Sequence, residues 1–172
     1  MTRENAFLTF WFDGFTRGLD QLDDTARHRL LAECGRACAA SHTRAIFCEA
    51  WAASDGVTTF LERLEEQIPH AAYRVVEENL IEVVYTRCAC ELVVRGLVTS
   101  PSLCLCSAYT LEENFKSALK RPVRVSSKGS LLAGDPECRF HVRLEKEEEI
   151  STERIIPPAM TAQSKSSSGK TP

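Results

Sequence analysis

Two Cys-x-Cys pairs constrain this chain more than any other feature of its sequence. Cys88 and Cys90 form the first pair, Cys104 and Cys106 form the second, and thirteen residues separate them. The two cysteines of such a pair cannot easily bridge to each other, but both sulfurs can face one cation. Two pairs on adjacent loops can therefore supply the four thiolates of a tetrahedral zinc site. The alternative is that the thiols pack in the core, since free cysteine is among the most buried residue types.

Composition and charge predict one soluble cytoplasmic domain. The 172 residues are 44% hydrophobic and 26% charged, which is enough to bury one sizeable core. A net charge of -3 and the acidic run at residues 145–149 disfavour nucleic acid as a partner. Charged residues interrupt residues 1–15, so they are no signal peptide, and no apolar stretch approaches the roughly 18 residues of a membrane span. The eight cysteines are therefore expected to stay reduced.

The hydrophobic pattern changes period along the chain. Residues 1–70 have helical spacing, with Asp23 and Asp24 placed to cap one of the helices. Residues 73–77 and 80–86 are rich in Val, Ile and Tyr, which predicts a β-hairpin that turns between them.

Helical and strand-like patterns then alternate. We expect helices at residues 91–97 and 111–119, strands at 123–126 and 138–144, and a turn at Lys128-Gly129. The order predicts an α+β fold with a helical amino-terminal half and an antiparallel four-stranded sheet covered by helices. Residues 1–149 would form this single domain. Residues 150–172 are rich in Ser, Lys and Pro and are expected to be a disordered tail.

The other four cysteines have two open roles, metal binding or core packing: Cys34, Cys38, Cys48 and Cys138. Cys34 and Cys38 lie one helical turn apart, so their sulfurs share a face that would suit a metal or a reversible disulfide. The same positions continue an apolar stripe, and Gly35 beside them allows close packing of another element. The periodicity favours core packing.

Catalytic roles can be assigned to a few of these residues. Cys90 and Cys106 stand at predicted helix starts, where the unpaired N–H groups lower a thiol's pKa and favour a metal ligand or a nucleophile. His42 could act as a general base beside a thiol. Glu91 could be a ligand or proton carrier, or simply a carboxylate that stabilises a helix start.

A run of aromatic side chains near the amino terminus is too apolar to remain in water and too short to span a bilayer: Phe7, Phe10, Trp11, Phe12 and Phe15. These side chains could cover a pocket, dock on the sheet or bury themselves against a second subunit. We therefore expect a homodimer.

Residues 85–144 carry a family resemblance. The residues that carry it are Arg87-Cys88-x-Cys90-Glu91, Gly96, Leu103-Cys104, Phe115, Pro122-Val123, Val125 and Gly134-Asp135-x-x-Cys138-x-Phe140. With them the chain resembles the 4-vinyl-reductase-type small-ligand-binding domains and the related 2-amino-thiazoline-4-carboxylate hydrolase-like family, and is most similar in style to bacterial members.

The resemblance implies an α+β domain that encloses a small-molecule pocket between helices and sheet, in some members beside a zinc ion held by cysteines and a carboxylate. It points to Cys90, Glu91, Cys104 and Cys106 as zinc ligands.

Two functions follow from these expectations. The first is a sensor or carrier of a small hydrophobic or heterocyclic ligand, with a structural zinc bound by cysteines including Cys88. The alternative is a hydrolase that opens the C–N bond of a small cyclic amidine with a cysteine thiolate or a metal-activated water.

Overall fold

The helical amino-terminal half is present in the computed structural model, which describes residues 3–146 and, of their side chains, those from residue 6 onward. Its helices are α1 (Arg3–Gln21), α2 (Asp24–Cys38), α3 (Arg44–Ala52) and α4 (Val57–Gln67). Asp23 caps α2 as predicted, because its carboxylate accepts a hydrogen bond of 2.8 Å from the N–H of Ala26. A π-helical turn, Ala39–Thr43, joins α2 to α3. No helix in the described part is long and apolar enough to cross a bilayer.

A four-stranded antiparallel sheet follows and confirms the α+β class. Its strands are β1 (Ala71–Glu77), β2 (Leu80–Tyr85), β3 (Val123–Gly129) and β4 (Cys138–Leu144), in the order β1-β2-β4-β3. The predicted hairpin is β1 and β2. The predicted turn at residues 128–129 is wrong, because β3 continues to Gly129. The chain turns later, where the carboxylate of Asp135 accepts a hydrogen bond of 2.7 Å from the N–H of Ser130.

Two helices lie between β2 and β3. The first, α5 (Glu91–Val94), ends earlier than predicted, and Gly96 just beyond it has a φ of 68°, which favours glycine. The second, α6 (Cys104–Leu119), begins seven residues before the predicted start at residue 111, directly after a 3-10 turn at Pro101–Leu103. Cys104 and Cys106 therefore lie in the first turn of α6. The predicted tail, residues 150–172, lies outside the described residues.

The main core lies between the sheet and helices α3, α4 and α6. Phe47, Phe60 and Phe115 are fully buried at its centre. The ring centroid of Phe115 is 5.2 Å from that of Phe47 and 5.9 Å from that of Phe60, both edge to face. Truncating any of these rings to Ala is expected to cost about 3–5 kcal/mol. The helices thus depend on one aromatic cluster for their position over the sheet.

A second core lies beside the first, beneath α1 and α2. Its buried members are Leu19, Leu31, Leu97, Val98 and Leu103. They come from α1, from α2 and from the segment between α5 and α6. This second core therefore fixes the segment that leads into the first turn of α6.

The two cores meet where α2 crosses α6 at Gly35. A Cβ atom at this glycine would lie 2.5 Å from the Cβ of Tyr109 and 2.7 Å from the carbonyl oxygen of Cys106. The carbonyl of Gly35 also accepts a hydrogen bond of 3.3 Å from the hydroxyl of Thr110. The close packing that the sequence allows at this glycine is thus a contact between two helix backbones.

We expect Gly35→Ala to lower the free energy of unfolding by about 1–3 kcal/mol, since the added methyl group forces α2 and α6 apart. Chemical denaturation monitored by circular dichroism measures the loss. Glu33→Ala is the matched control, because it removes only an exposed ion pair with Arg36 on the same helix and should change stability little. Equal stabilities of the two variants would contradict the importance of this contact.

Candidate functional site

Three segments bring cysteines to one end of the sheet. Cys138 opens β4 and pairs with Tyr85, the last residue of β2. The loop after β2 carries Cys88 and Cys90, and Cys104 opens α6. Together with Cys106, these five cysteines are called the thiol group below. Besides burial, repulsion between the thiolates of neighbouring members raises the pKa of Cys88, Cys104 and Cys106.

Hydrogen bonds tie the thiol group to the β3–β4 connection. The hydroxyl of Ser130 donates to the sulfur of Cys104 over 3.0 Å, and the N–H of Leu131 donates to the sulfur of Cys138 over 3.4 Å. Ser130 is itself buried. The connection therefore contacts the thiols of Cys104 and Cys138, of which Cys138 is buried.

Burial makes these thiols weak acids. It raises the pKa of Cys88 and Cys104, and it raises the pKa of Cys106 to about 12, with neighbouring thiols adding to each effect. The first turn of α6 was expected to lower the pKa of Cys106, but desolvation outweighs the helix terminus there. A thiol that stays protonated at neutral pH is a poor nucleophile.

The predicted zinc ligands share a region but do not form a coordination sphere. Within residues 3–146, no group of three or more His, Cys, Asp or Glu side chains is placed to hold a metal ion. The chemistry of the donors suits a soft cation, since thiolates are its preferred ligands. Zinc binding would require these side chains to converge further than they do here. Glu91, the other predicted ligand, is the exposed first residue of α5.

Two of the remaining candidates lie near the thiol group. Cys34 and Cys38 on α2 lie close enough to Cys106 for their charges to raise its pKa. Cys48 packs against the main core, as the core alternative expects. His42 is exposed in the π-helical turn, and no hydrogen bond in the described part of the chain joins it to a cysteine. A Cys/His pair is therefore not assembled by these helices.

A second group of side chains, beside the thiol group, was missed by the sequence analysis. Its members, called the Tyr85 site, are His70, Tyr73, Tyr85, Cys138 and Phe140. The ring of Tyr85 lies 5.8 Å from that of His70 and 6.1 Å from that of Phe140. Tyr73 is a diagonal neighbour of Tyr85 on the same face of the hairpin, because Ala71 pairs with Tyr85. Tyrosines at inward strand positions are the signal that could have revealed this site.

Two polar atoms of the Tyr85 site are buried without a hydrogen-bond partner: the hydroxyl of Tyr73 and Nε2 of His70. Burial raises the pKa of Tyr73, and the charge and hydroxyl of Tyr85 add to this effect, so the two hydroxyls lie near each other although they do not meet in hydrogen-bond geometry. Most buried polar groups in proteins are paired, so two unpaired polar atoms around the ring of Tyr85 are unusual. The site thus offers unused hydrogen-bonding capacity in an apolar setting.

Two grooves reach residues of this site from the surface. One, of about 260 Å³, lies between α4 and β1 and is lined by Thr58, Leu61, Glu62, Glu65, Tyr73 and Val75. The other, of about 280 Å³, is lined by His70, Arg87, Cys88, Ala89 and Val94. Each groove therefore includes one of the two residues whose polar atom lacks a partner.

No family model matches the chain, and no curated protein matches it. Two structures that hold small molecules are among the solved structures that share its fold. A trafficking protein particle complex subunit 3 from Naegleria fowleri, covalently bound to palmitic acid, has a TM-score of 0.53 at 13% identity, covering 83% of this chain and 95% of the other. The phenol-responsive sensory domain of the transcription activator PoxR, with phenol, has a TM-score of 0.52 at 13% identity, covering 81% and 72%.

We expect the tyrosines to resist ionisation in the folded protein. Burial raises the pKa of Tyr85 from 10.0 to about 12, while the unfolded chain ionises near 10.0. A raised pKa stabilises the fold below pH 10.0, and this stability is lost as the pH rises from 10.0 towards 12. The ultraviolet absorbance of tyrosinate, followed during an alkaline titration, should therefore rise together with unfolding.

The denatured chain and Tyr85→Phe are the controls for this titration. The denatured chain should ionise near pH 10.0, and Tyr85→Phe should lose less stability at high pH than the wild type. A native titration centred at pH 10.0 would show that Tyr85 is open to water.

Proposed function

We propose that this domain binds a small apolar molecule with one polar group, as a sensor or carrier, at the Tyr85 site. The hydroxyl of Tyr73 is the observation that carries the proposal: the residue is only 5% exposed, and its polar atom has no partner. Leaving such a donor unpaired costs about 1–3 kcal/mol. A ligand that accepts its hydrogen bond would recover this free energy on binding.

The surroundings of the hydroxyl define the class of ligand. Phe47 and Phe115 lie beside the ring of Tyr73, with centroids 6.4 Å away in each case, and Phe140 lies beside Tyr85. Apolar walls with a few convergent polar groups are typical of small-molecule sites. The Tyr85 site contains no charged side chain, while Glu62 and Glu65 line one groove and Arg87 lines the other. The hydroxyl of Tyr73 would therefore bind the polar group of the ligand by a hydrogen bond.

The two solved structures support this class. One holds phenol and the other palmitic acid, and both molecules are largely apolar with a single polar end. The raised pKa values of Cys88, Cys104 and Cys106 keep these thiols protonated at neutral pH. Because the thiolate is the nucleophilic form, this disfavours a hydrolase that uses one of these three as its nucleophile. The 4-vinyl-reductase resemblance, the cytoplasmic location and the homodimer remain predictions within this proposal.

The ligand test uses phenol and palmitic acid as probes. Tyr73→Phe removes the unpaired hydroxyl, so the free protein should keep its stability or gain about 1 kcal/mol. The same variant should bind the probes several-fold more weakly, because it can no longer donate to them. Thermal denaturation with and without each probe, together with titration calorimetry, measures both effects.

Tyr109→Phe is the matched control for this variant. Its hydroxyl already has a partner, Nδ1 of His28 at 2.7 Å, and its side chain packs against the second core rather than the Tyr85 site. Probe binding should therefore not change. Two results would contradict the proposal. One is the failure of both probes to stabilise the wild type, and the other is probe binding by Tyr73→Phe that equals the wild type's.

The zinc ion is a separate prediction, carried by the donor chemistry of the thiol group. We expect protein purified without added metal to contain near-stoichiometric zinc and to have thiols that react slowly until the chain is unfolded. Cys104→Ser should lower the metal content, whereas His42→Ala should leave it unchanged. Elemental analysis and thiol counts test this, and a metal-free protein with fast-reacting thiols would show the prediction to be wrong.

A further inference from the structure

Helix α1 has two apolar faces, although the domain covers only one. The inner face packs against the second core through Leu8, Phe12, Phe15 and Leu19. On the outer side, Phe7 is 64%, Phe10 is 75% and Trp11 is 53% exposed. Exposed aromatic groups of this size mark an interaction surface.

Two glycines extend this outer face. At 3.6 residues per turn, Phe7, Trp11, Gly14 and Gly18 form one stripe along α1, called the outer stripe below. A Cβ atom at Gly18 would meet nothing within 4 Å, and one at Gly14 would meet only Nη2 of Arg17 at 3.9 Å. Packing within the subunit therefore does not require either glycine, although glycine destabilises a helix interior relative to Ala.

The outer stripe is complementary to itself. When two copies of α1 pack antiparallel about a two-fold axis midway between residues 12 and 13, Trp11 of each copy faces Gly14 of the other. The same axis places Phe7 of each copy opposite Gly18 of the other. Each bulky ring then meets a position with no side chain, and both matches require one and the same axis. Two-fold symmetry of this kind is the commonest arrangement of homodimers.

We propose that the outer stripe is a dimer interface, on which a second copy of this chain packs antiparallel with aromatic rings over glycines. The proposal deepens the homodimer part of the proposed function and does not depend on ligand binding. Charge favours a second copy over an anionic membrane, since residues 6–21 carry Asp13 and Asp20 but only Arg17 as a basic residue. Antiparallel helices also bring opposite dipole ends together.

The exposed rings supply much of the area that a dimer needs. A fully buried aromatic side chain covers about 150–250 Å². Two copies have four rings on the outer stripe, those of Phe7 and Trp11, and two rings of Phe10 beside it, and together these six would bury at most roughly 800 Å². Specific interfaces bury about 1,200–2,000 Å² in total, and the facing helix backbones and flanking side chains would contribute the remainder. We therefore expect a reversible dimer whose population depends on concentration.

An exchange of ring and glycine tests the register. Gly18→Phe should weaken the dimer at least about tenfold, because two rings then collide, and Phe7→Ala should weaken it by loss of a ring. The double variant Phe7→Ala/Gly18→Phe exchanges the large and small positions within each chain and should restore most of the affinity. Sedimentation velocity over a concentration series measures the dissociation constants.

Asp13→Leu is the control, because it adds an apolar side chain on α1 away from the outer stripe and should leave the dimer unchanged. Circular dichroism should show all variants folded, since Gly18 has free space around it. A monomeric wild type, a Gly18→Phe variant that dimerises as well as the wild type, or a double variant that is not restored would each overturn the proposal. The phenol and palmitic acid measurements on Phe7→Ala should match the wild type's, which separates this test from that of ligand binding.

Discussion

The close approach of α2 to α6 at Gly35 holds the two halves of the structure together. On one side of this contact, α6 contributes Phe115 to the aromatic cluster over the sheet. On the other side, α2 contributes Leu31 to the second core, against which α1 packs. A side chain at Gly35 would separate the helices, because its Cβ would lie 2.7 Å from the carbonyl oxygen of Cys106. The same contact therefore fixes the first turn of α6 and the thiols in it.

The interior near that turn combines apolar packing with unsatisfied polar groups. Phe140 and Cys138 pack against Tyr85, but the hydroxyl of Tyr73 and Nε2 of His70 find no partner. A phenylalanine at position 73 would fill the same space without that cost. This unpaired donor supports the proposed ligand binding, because a purely structural core would be expected to pair or omit it.

Local patterns predicted most of the fold, and long-range contacts account for what they missed. The cap at Asp23 and the hairpin of β1 and β2 depend on neighbouring residues, so the sequence shows them directly. The start of α6 was missed because residues 104–110 were interpreted as a Cys-x-Cys loop, although Ser100 and Pro101 just before them are typical helix-start residues. The sequence predicted that the thiols lie close together. Their pKa values depend on burial, which only the folded structure shows. The inward tyrosines of the hairpin were a local signal for the Tyr85 site, but the approach of Phe140 depends on the pairing of β2 with β4, which are distant in sequence.

The proposed ligand site and the outer stripe of α1 lie on different cores, and this limits how one can influence the other. Tyr73 and Phe140 belong to the main core, whereas the inner face of α1 packs on the second. Helix α6 contacts both: Leu111 lies in the main core, and Tyr109 packs against the second. The two proposals nevertheless depend on separate contacts. Ligand binding at the Tyr85 site is expected to leave the packing of the outer stripe unchanged, because no residue of that stripe belongs to the main core.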